Sequence, residues 1–389
     1  MSRSMPLNVE DYRRLARKRL PRMIYDYLDG GAEQETGLGH NREVFEGLRF
    51  RPRRLVNVSQ RDLSTTLFGQ ALPMPLLIAP TGLNGAFWAN GDLALARSAA
   101  RAGIPFVLST ASNISIEELA RQCDGELWFQ LYVVHRNLAE QMVKRALAAG
   151  YRTLVLTTDV GVNGYRERDL RNDFKMPMRY TPDVLLQGCL HPRWSFDLLR
   201  HGMPQLANFA SVDASSLEVQ AALMSRQMDA TFDWDALAWL RELWPHRLLV
   251  KGLLDPEDAV RCVAMGIDGV ILSNHGARQL DACISPMQVL ADTVARVLSP
   301  VLIDSGFRSG ADIVKALTLG ADAVLLGRAT LYGLAAAGEA GVDDVLRLLK
   351  AEIDRTLAHI GCPSISQLSP DFLIPPSHLS APASACHSR

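Results

Sequence analysis

The sequence predicts a (β/α)8 TIM barrel, and three observations carry that prediction. Eight short apolar runs recur along the chain, alanine-rich segments with helical spacing lie between most of them, and the runs close on polar residues or glycine. Strands covered by helices outside and packed against one another inside read as unbroken apolar stretches. An open, doubly wound parallel sheet is the alternative that the same alternation permits.

Residues 8–29 carry apolar positions at helical spacing, broken by Pro21 and stopped by Gly30 and Gly31, which predicts two helices ahead of the barrel. The runs follow as PLLIAP (75–80), PFVLS (105–109), LWFQLY (127–132), TLVLTTD (153–159), RLLVKG (247–252), DGVILSN (268–274), PVLIDSG (300–306) and DAVLLGR (322–328). RALAAGYRTLVLTTD, CVAMGIDGVILSN and ALTLGADAVLLGR rhyme, each passing from a helix end through a glycine into a strand that finishes polar. Successive runs begin about 20–30 residues apart, as a βα unit requires, except between the fourth and fifth, where about 90 residues intervene. An insertion occupies that gap.

The centre of the insertion, about residues 176–215, is prolyl and aromatic, with Arg179, Arg193 and Arg200. It suits either a lid or subunit-packing loop, or an interfacial membrane segment. In the second reading Trp194, Phe196, Leu198, Leu199 and Phe209 enter the headgroup boundary while the arginines meet anionic lipid. Four prolines, at 177, 182, 192 and 204, keep it from spanning. The barrel with its leading helices is expected over residues 1–370, and the Pro-, Ser- and Ala-rich residues 371–389 form a loosely ordered tail.

Of the 389 residues, 48% are hydrophobic and 21% charged, a composition with enough apolar mass for a sizeable core. Lys and Arg number 41 against 42 Asp and Glu, so no global basic field exists to hold nucleic acid, and small-molecule partners are expected. Six scattered cysteines without a CxxC pair, and a start that lacks a signal-type apolar run, suit a reducing cytoplasmic setting. The spacing shows no metal-ligand cluster, GxSxG elbow, Walker loop or GxGxxG after the first strand.

In such barrels the chemistry sits where strands end, which singles out Thr81-Gly82, Ser109, Gln130 with Tyr132, Thr157 with Asp159, Lys251, His275 with Arg278, Asp304 to Arg308, and Gly327-Arg328. DSGFRSG and LLGR, on the last two strands, each pair glycine with arginine before a helix, a pattern suited to phosphate. Lys251 ends an apolar strand and needs a partner, either a structural salt bridge or a group that turns negative during reaction. Asp159 caps the next helix or holds the tautomer of a histidine. His275, flanked by Gly276 and Arg278, is suited to deprotonating an acid whose carboxylate an arginine clamps. Arg166, within the charged RERDLRND, reads as solvent-exposed by default.

These residues resemble those of the FMN-dependent 2-hydroxy acid oxidising family. The resemblance covers about residues 8–370 through YDYLDGGA, MPLLIAPTG, WFQLY, LVKG, SNHGARQLD, PVLIDSGFRSG and LGADAVLLGR, with SNHGARQLD the most specific. It implies FMN as cofactor, His275 as active-site base and Asp159 as its paired carboxylate. Arg278 and Arg166 would bind the substrate carboxylate, and Tyr27 and Tyr132 would hydrogen-bond the substrate. Lys251 would face the flavin N1 and O2 edge, Gln130, Thr157, Ser109 and Ser273 the ring system, and the Pro80-Thr81-Gly82 backbone would lie behind it. Asp304, Gly306, Arg308, Gly327 and Arg328 would take the ribityl chain and phosphate.

The implied reaction oxidises (S)-mandelate to benzoylformate, with lactate or glycolate as alternative substrates. Oxidases of the family tend to carry alanine where Gly82 stands, which implies a poor reaction with oxygen and a membrane quinone as acceptor. The resemblance further implies that the insertion binds membrane lipid on the cytoplasmic side of the inner membrane, and that the assembly is a homotetramer. Outside flavin chemistry, a phosphate-binding barrel for a nucleotide or sugar phosphate, or a non-catalytic membrane scaffold, are the alternatives.

Overall fold

Each apolar run becomes a strand in the computed structural model of the chain, which describes residues 5–174, 181–209 and 229–374. The strands are β1 (Leu76–Ile78), β2 (Phe106–Ser109), β3 (Leu127–Leu131), β4 (Thr153–Thr157), β5 (Arg247–Leu253), β6 (Gly269–Leu272), β7 (Val301–Ile303) and β8 (Ala323–Leu326). Neighbours in sequence pair in parallel, and β8 closes onto β1 with Leu325 opposite Leu77. The closed barrel excludes the open sheet.

Period-two alternation splits each strand between two cores. Leu77, Val107, Trp128, Val155, Leu249, Ile271, Leu302 and Leu325 fill the barrel interior, while Leu76, Ile78, Leu108, Phe129 and their counterparts pack outward against helices. A hairpin pairing Thr65–Leu67 with Gln70–Leu72 closes the N-terminal end of the barrel, placing Leu67, Phe68 and Leu72 against the interior layer. Only the opposite end is left for a site.

Ahead of the barrel lie α1 (Val9–Arg19), α2 (Arg22–Asp29) and α3 (Thr36–Gly47). The Asn8 side chain caps α1 by accepting from Asp11 N–H, and Pro21 separates α1 from α2 as the spacing predicts. Both helices dock on the last one, Arg328–Ile360, which bends at Ala337–Gly338. Gly338 has φ +65°, and a Cβ there would meet the Trp88 ring at 2.4 Å, so the close approach requires glycine.

Two expectations are corrected. The body extends beyond 370: Phe372 is buried, and Leu373–Ile374 pair antiparallel with Arg49–Phe50. Two apolar residues with a strand partner hold the chain there despite the prolyl surroundings, and the rest of the expected tail, 375–389, lies outside the described residues. In the insertion, helices Pro182–Leu190 and Pro192–His201 form, but Trp194 does not face outward. It is 7% exposed and donates Nε1–H to Ala86 O at 2.8 Å, because an indole buries well once its N–H finds a carbonyl. Phe196 and Leu199 do face outward, at 62% and 85% exposure. Leu198 packs against the core, and Phe209 turns inward to the barrel top.

Candidate active site

Two residues beyond the apolar interior layer, the same alternation points Ser109, Gln130, Thr157, Lys251, Ser273, Asp304 and Gly327 into the barrel mouth. Above them opens a cavity of about 220 Å³. Tyr27, Pro80, Thr81, Gly82, Ser109, Tyr132, Arg166, Lys251, His275, Arg278, Asp304, Gly306, Arg308, Gly327 and Arg328 all line it. Gln130, Thr157, Ser273 and Asp159 are buried or half-buried behind that lining.

His275 stands at the start of a strained turn in which residues 275, 276 and 277 have φ of 56°, 62° and 59°. Two buried asparagines hold it. Asn274 and Asn41 exchange amide hydrogen bonds of 2.8 and 2.9 Å, Asn274 Oδ1 also accepts from Ala277 N–H, and Ser305 Oγ accepts from Gly276 N–H. The imidazole then meets Asp159, with Nδ1 at 2.7 Å from Oδ1. With a carboxylate as acceptor, Nδ1 carries the hydrogen, so the Nε2 lone pair faces the cavity, 3.4 Å from the Tyr132 hydroxyl. Burial lowers the His275 pKa more than the Asp159 charge raises it, leaving a neutral base at pH 7. Burial would raise Asp159, but the charge that His275 carries when protonated at acid pH, with that of Lys251, outweighs it and holds the carboxyl below its ordinary value.

Lys251 is the buried cation of the site. Its Nζ donates to Ser273 Oγ at 2.8 Å and lies 3.3 Å from Asp304 Oδ2 and 3.9 Å from Asp159 Oδ2. Burial disfavours its charge, yet the two carboxylates win and raise its pKa. Lys251 is therefore salt-bridged, as the first reading expects, and it also lines the cavity.

Arg278 donates Nη1–H to Gly30 O at 2.8 Å and packs over the Tyr27 ring at 5.1 Å. Arg166, contrary to its default reading, is largely covered and donates Nε–H to Arg278 O, because the loop after β4 folds inward onto 278–279. Arg328 donates to three carbonyls, of Leu28, Gly276 and Gly30. Burial, and then the neighbouring charges of Arg278 and Arg308, push its pKa down to about 9. Cations crowded around one cavity make it a receptor for anions.

The residues fit an FMN. Gln130 Nε2 and Thr157 Oγ1 are buried without a hydrogen-bond partner, as donors awaiting the polar edge of a ring would be. Gly306, Arg308, Gly327 and Arg328 also line the cavity, and backbone at glycine can approach a phosphate closely while guanidinium groups neutralise it. Among the described residues, no group of three or more His, Cys, Asp or Glu is placed to hold a metal ion.

Sequence reasoning missed Asn41, 233 positions from the Asn274 it supports, and nothing in its neighbourhood marks it. It also missed the apolar wall, to which Leu28, Leu83, Phe87, Val134, Val160, Leu206 and Phe209 contribute. Leu206 and Phe209 belong to the returning leg of the insertion, pinned by fully buried Asn208, which donates to Ser112 Oγ and accepts from Ile116 N–H. Deleting residues 177–215 would therefore breach the cavity as well as remove exposed helices.

Comparison with known proteins matches residues 16–375 to the FMN-dependent dehydrogenase family. (S)-Mandelate dehydrogenase of Pseudomonas putida is 72% identical over 366 residues, covering 94% of this chain and 93% of that protein. L-Lactate dehydrogenase of Pectobacterium atrosepticum is 42% identical over 371 residues, covering 94% and 96%. A crystal structure of the monotopic membrane protein (S)-mandelate dehydrogenase superposes with a TM-score of 0.93 at 71% identity, covering 96% of this chain and all of that one, 100%.

Proposed function

The chain belongs to the FMN-dependent dehydrogenase family and is an FMN-dependent 2-hydroxy acid dehydrogenase, and on that premise we propose that it oxidises (S)-mandelate to benzoylformate and passes the electrons to a membrane quinone. The observation that carries the substrate is the make-up of the cavity lining: a base and two arginines for a 2-hydroxy acid, together with the apolar side chains of Phe87, Leu206 and Phe209, which suit an aromatic ring. Bound FMN supplies a two-electron acceptor.

Arg278 and Arg166 clamp the substrate carboxylate, which fixes the α-carbon and its hydroxyl relative to His275. His275 Nε2 receives the proton that leaves as the 2-hydroxy acid becomes a 2-keto acid, and Asp159 stabilises the imidazolium through the 2.7 Å hydrogen bond to Nδ1. Tyr132, whose pKa burial raises, keeps its proton and donates a hydrogen bond to the substrate oxygen. Lys251 holds a fixed positive charge beside the cavity, where it favours negative charge arriving on the cofactor.

Anaerobic addition of (S)-mandelate is expected to bleach the flavin absorbance of the purified holoenzyme, at lower concentration than L-lactate does. Bleaching by lactate or glycolate with none by mandelate overturns the substrate.

For the acceptor and location, the support is the outer face of the insertion. Leu185, Leu186, Leu190, Phe196 and Leu199 are exposed together with Arg193 and Arg200, a combination that seats an amphipathic surface on anionic lipid. No described helix is long and apolar enough to cross a membrane, so the attachment is peripheral, on the cytoplasmic side of the inner membrane in this proposal. The double substitution Phe196→Asp, Leu199→Asp spares the cavity-lining leg and is expected to move the yellow protein from the membrane pellet to the supernatant. Unchanged sedimentation with membranes refutes this docking face.

A further inference from the structure

One buried acid takes no part in the chemistry above. Asp92 lies in the first turn of helix α4 (Gly91–Ala102) and is 1% exposed. Its carboxylate meets uncharged donors: Oδ1 accepts from Asn84 Nδ2 at 2.7 Å, and Oδ2 from Asn113 N–H at 2.9 Å. Asn84, itself fully buried, continues to Thr81, donating to its carbonyl at 3.1 Å while its own Oδ1 accepts from Thr81 Oγ1 at 3.0 Å. Asn113 Oδ1 accepts from Gly85 N–H at 2.8 Å, and its Nδ2 donates to Gln205 O at 2.7 Å on the returning leg of the insertion. A single carboxylate thus ties the loop after β1 to the loop after β2.

Those two loops meet at the cavity. Leu83 N–H donates to Ala111 O at 3.1 Å, and a Cβ on Gly82 would fall 2.9 Å from Ala111 Cβ, so the spacing there is tight. Thr81, Gly82 and Ala111 all line the cavity. We infer that Asp92 is a positioning residue for FMN, setting the spacing of the Thr81-Gly82 wall against Ala111 and thereby the seat of the cofactor ring. The inference rests on the reading that this wall faces the flavin.

The demand is for an ionised group. Two donors converge on Asp92, and a carboxylate accepts from both, whereas an amide offers one acceptor and turns its own donor against the other. Burial pushes the Asp92 carboxyl up to about 6, with the donors pulling against that rise. A site serving only as filler is better occupied by an apolar side chain, because burying a carboxylate is costly.

The test titrates FMN into apoprotein of the wild type, Asp92→Asn and Gly82→Ala, following flavin fluorescence, and records the visible spectrum and midpoint potential of each holoenzyme. Asp92→Asn is expected to weaken FMN binding about tenfold, the loss of one hydrogen bond to a charged group, and to shift the spectrum. Asn84→Ala removes the side-chain arm to Asp92 Oδ1, leaves the Asn113 N–H arm in place, and is expected to show the same shift, which keeps the inference testable if Asp92→Asn fails to fold. A lower melting temperature with unaltered FMN affinity, spectrum and potential makes Asp92 merely structural and overturns the inference. If Gly82→Ala also leaves all three unaltered, the placement of the wall against the flavin falls with it.

Discussion

His275→Gln is expected to lower the rate of flavin reduction by substrate about 10²–10⁴-fold, the range associated with a general base, while FMN remains bound. Glutamine approximates the size of the ring and can still donate to Asp159 Oδ1, which the native Nδ1 meets at 2.7 Å, but it takes no proton. The pH dependence of the wild type follows from the same group. Burial lowers the His275 pKa below its ordinary 6.5, so kcat/KM falls on the acid side with an inflection below that value and is level through neutrality. Stopped-flow reduction across pH measures both. Retention of more than a tenth of the wild-type rate by His275→Gln, or an acid inflection above 7, removes His275 from the role of base.

Asp29→Ala is expected to destabilise the protein by about 3 kcal/mol, the lower end for breaking a buried ion pair, because its partner Arg13 is 40% exposed. The carboxylate joins three parts of the chain. Oδ1 accepts from Arg13 Nε at 2.7 Å and from Tyr332 OH at 2.7 Å, and Oδ2 accepts from Arg13 Nη2 at 2.9 Å, so α1, α2 and the last helix share one anchor. Burial alone would raise the Asp29 pKa, but the hydrogen bonds from Arg13 and Tyr332 and the charges of Arg13 and Arg328 hold it well below the usual carboxylate range. A depressed carboxylate contributes stability above its unfolded pKa near 4, and that contribution is lost as pH falls toward the folded value. Urea unfolding at pH 7 should therefore separate wild type from variant, and the difference should shrink below pH 4. A separation under 1 kcal/mol at pH 7 contradicts the anchor. Function follows stability here, since Leu28 and Gly30, adjacent to Asp29, supply carbonyls that brace Arg328 and Arg278.

The barrel was legible because its signal is local. A strand buried on both sides must be apolar throughout, and its polar terminus must sit where the chain leaves the core, so PLLIAP, RLLVKG and DAVLLGR disclose both strand and site edge. His275, Arg278 and Lys251 were legible for the same reason. Arg166 was harder, because charged neighbours predict exposure and only the inward fold of its loop onto 278–279 covers it. Trp194 illustrates the opposite error: aromatic character in a prolyl insertion suits a lipid surface, yet a carbonyl at Ala86 gave the indole a better partner within the protein.

The order of strands, the identity of the groups at their C-terminal ends and the glycine-arginine pairs after the last two strands were determined by residues acting within about a turn or a strand of themselves. What tertiary structure alone decided are the pairings across long separations: Asn41 with Asn274, Asp29 with Arg13 and Tyr332, Asp92 with Asn84 and Asn113, and Leu206 and Phe209 as cavity wall. A polar side chain can be satisfied by many partners, and sequence specifies its need without specifying which donor the closed barrel will bring within 3 Å of it.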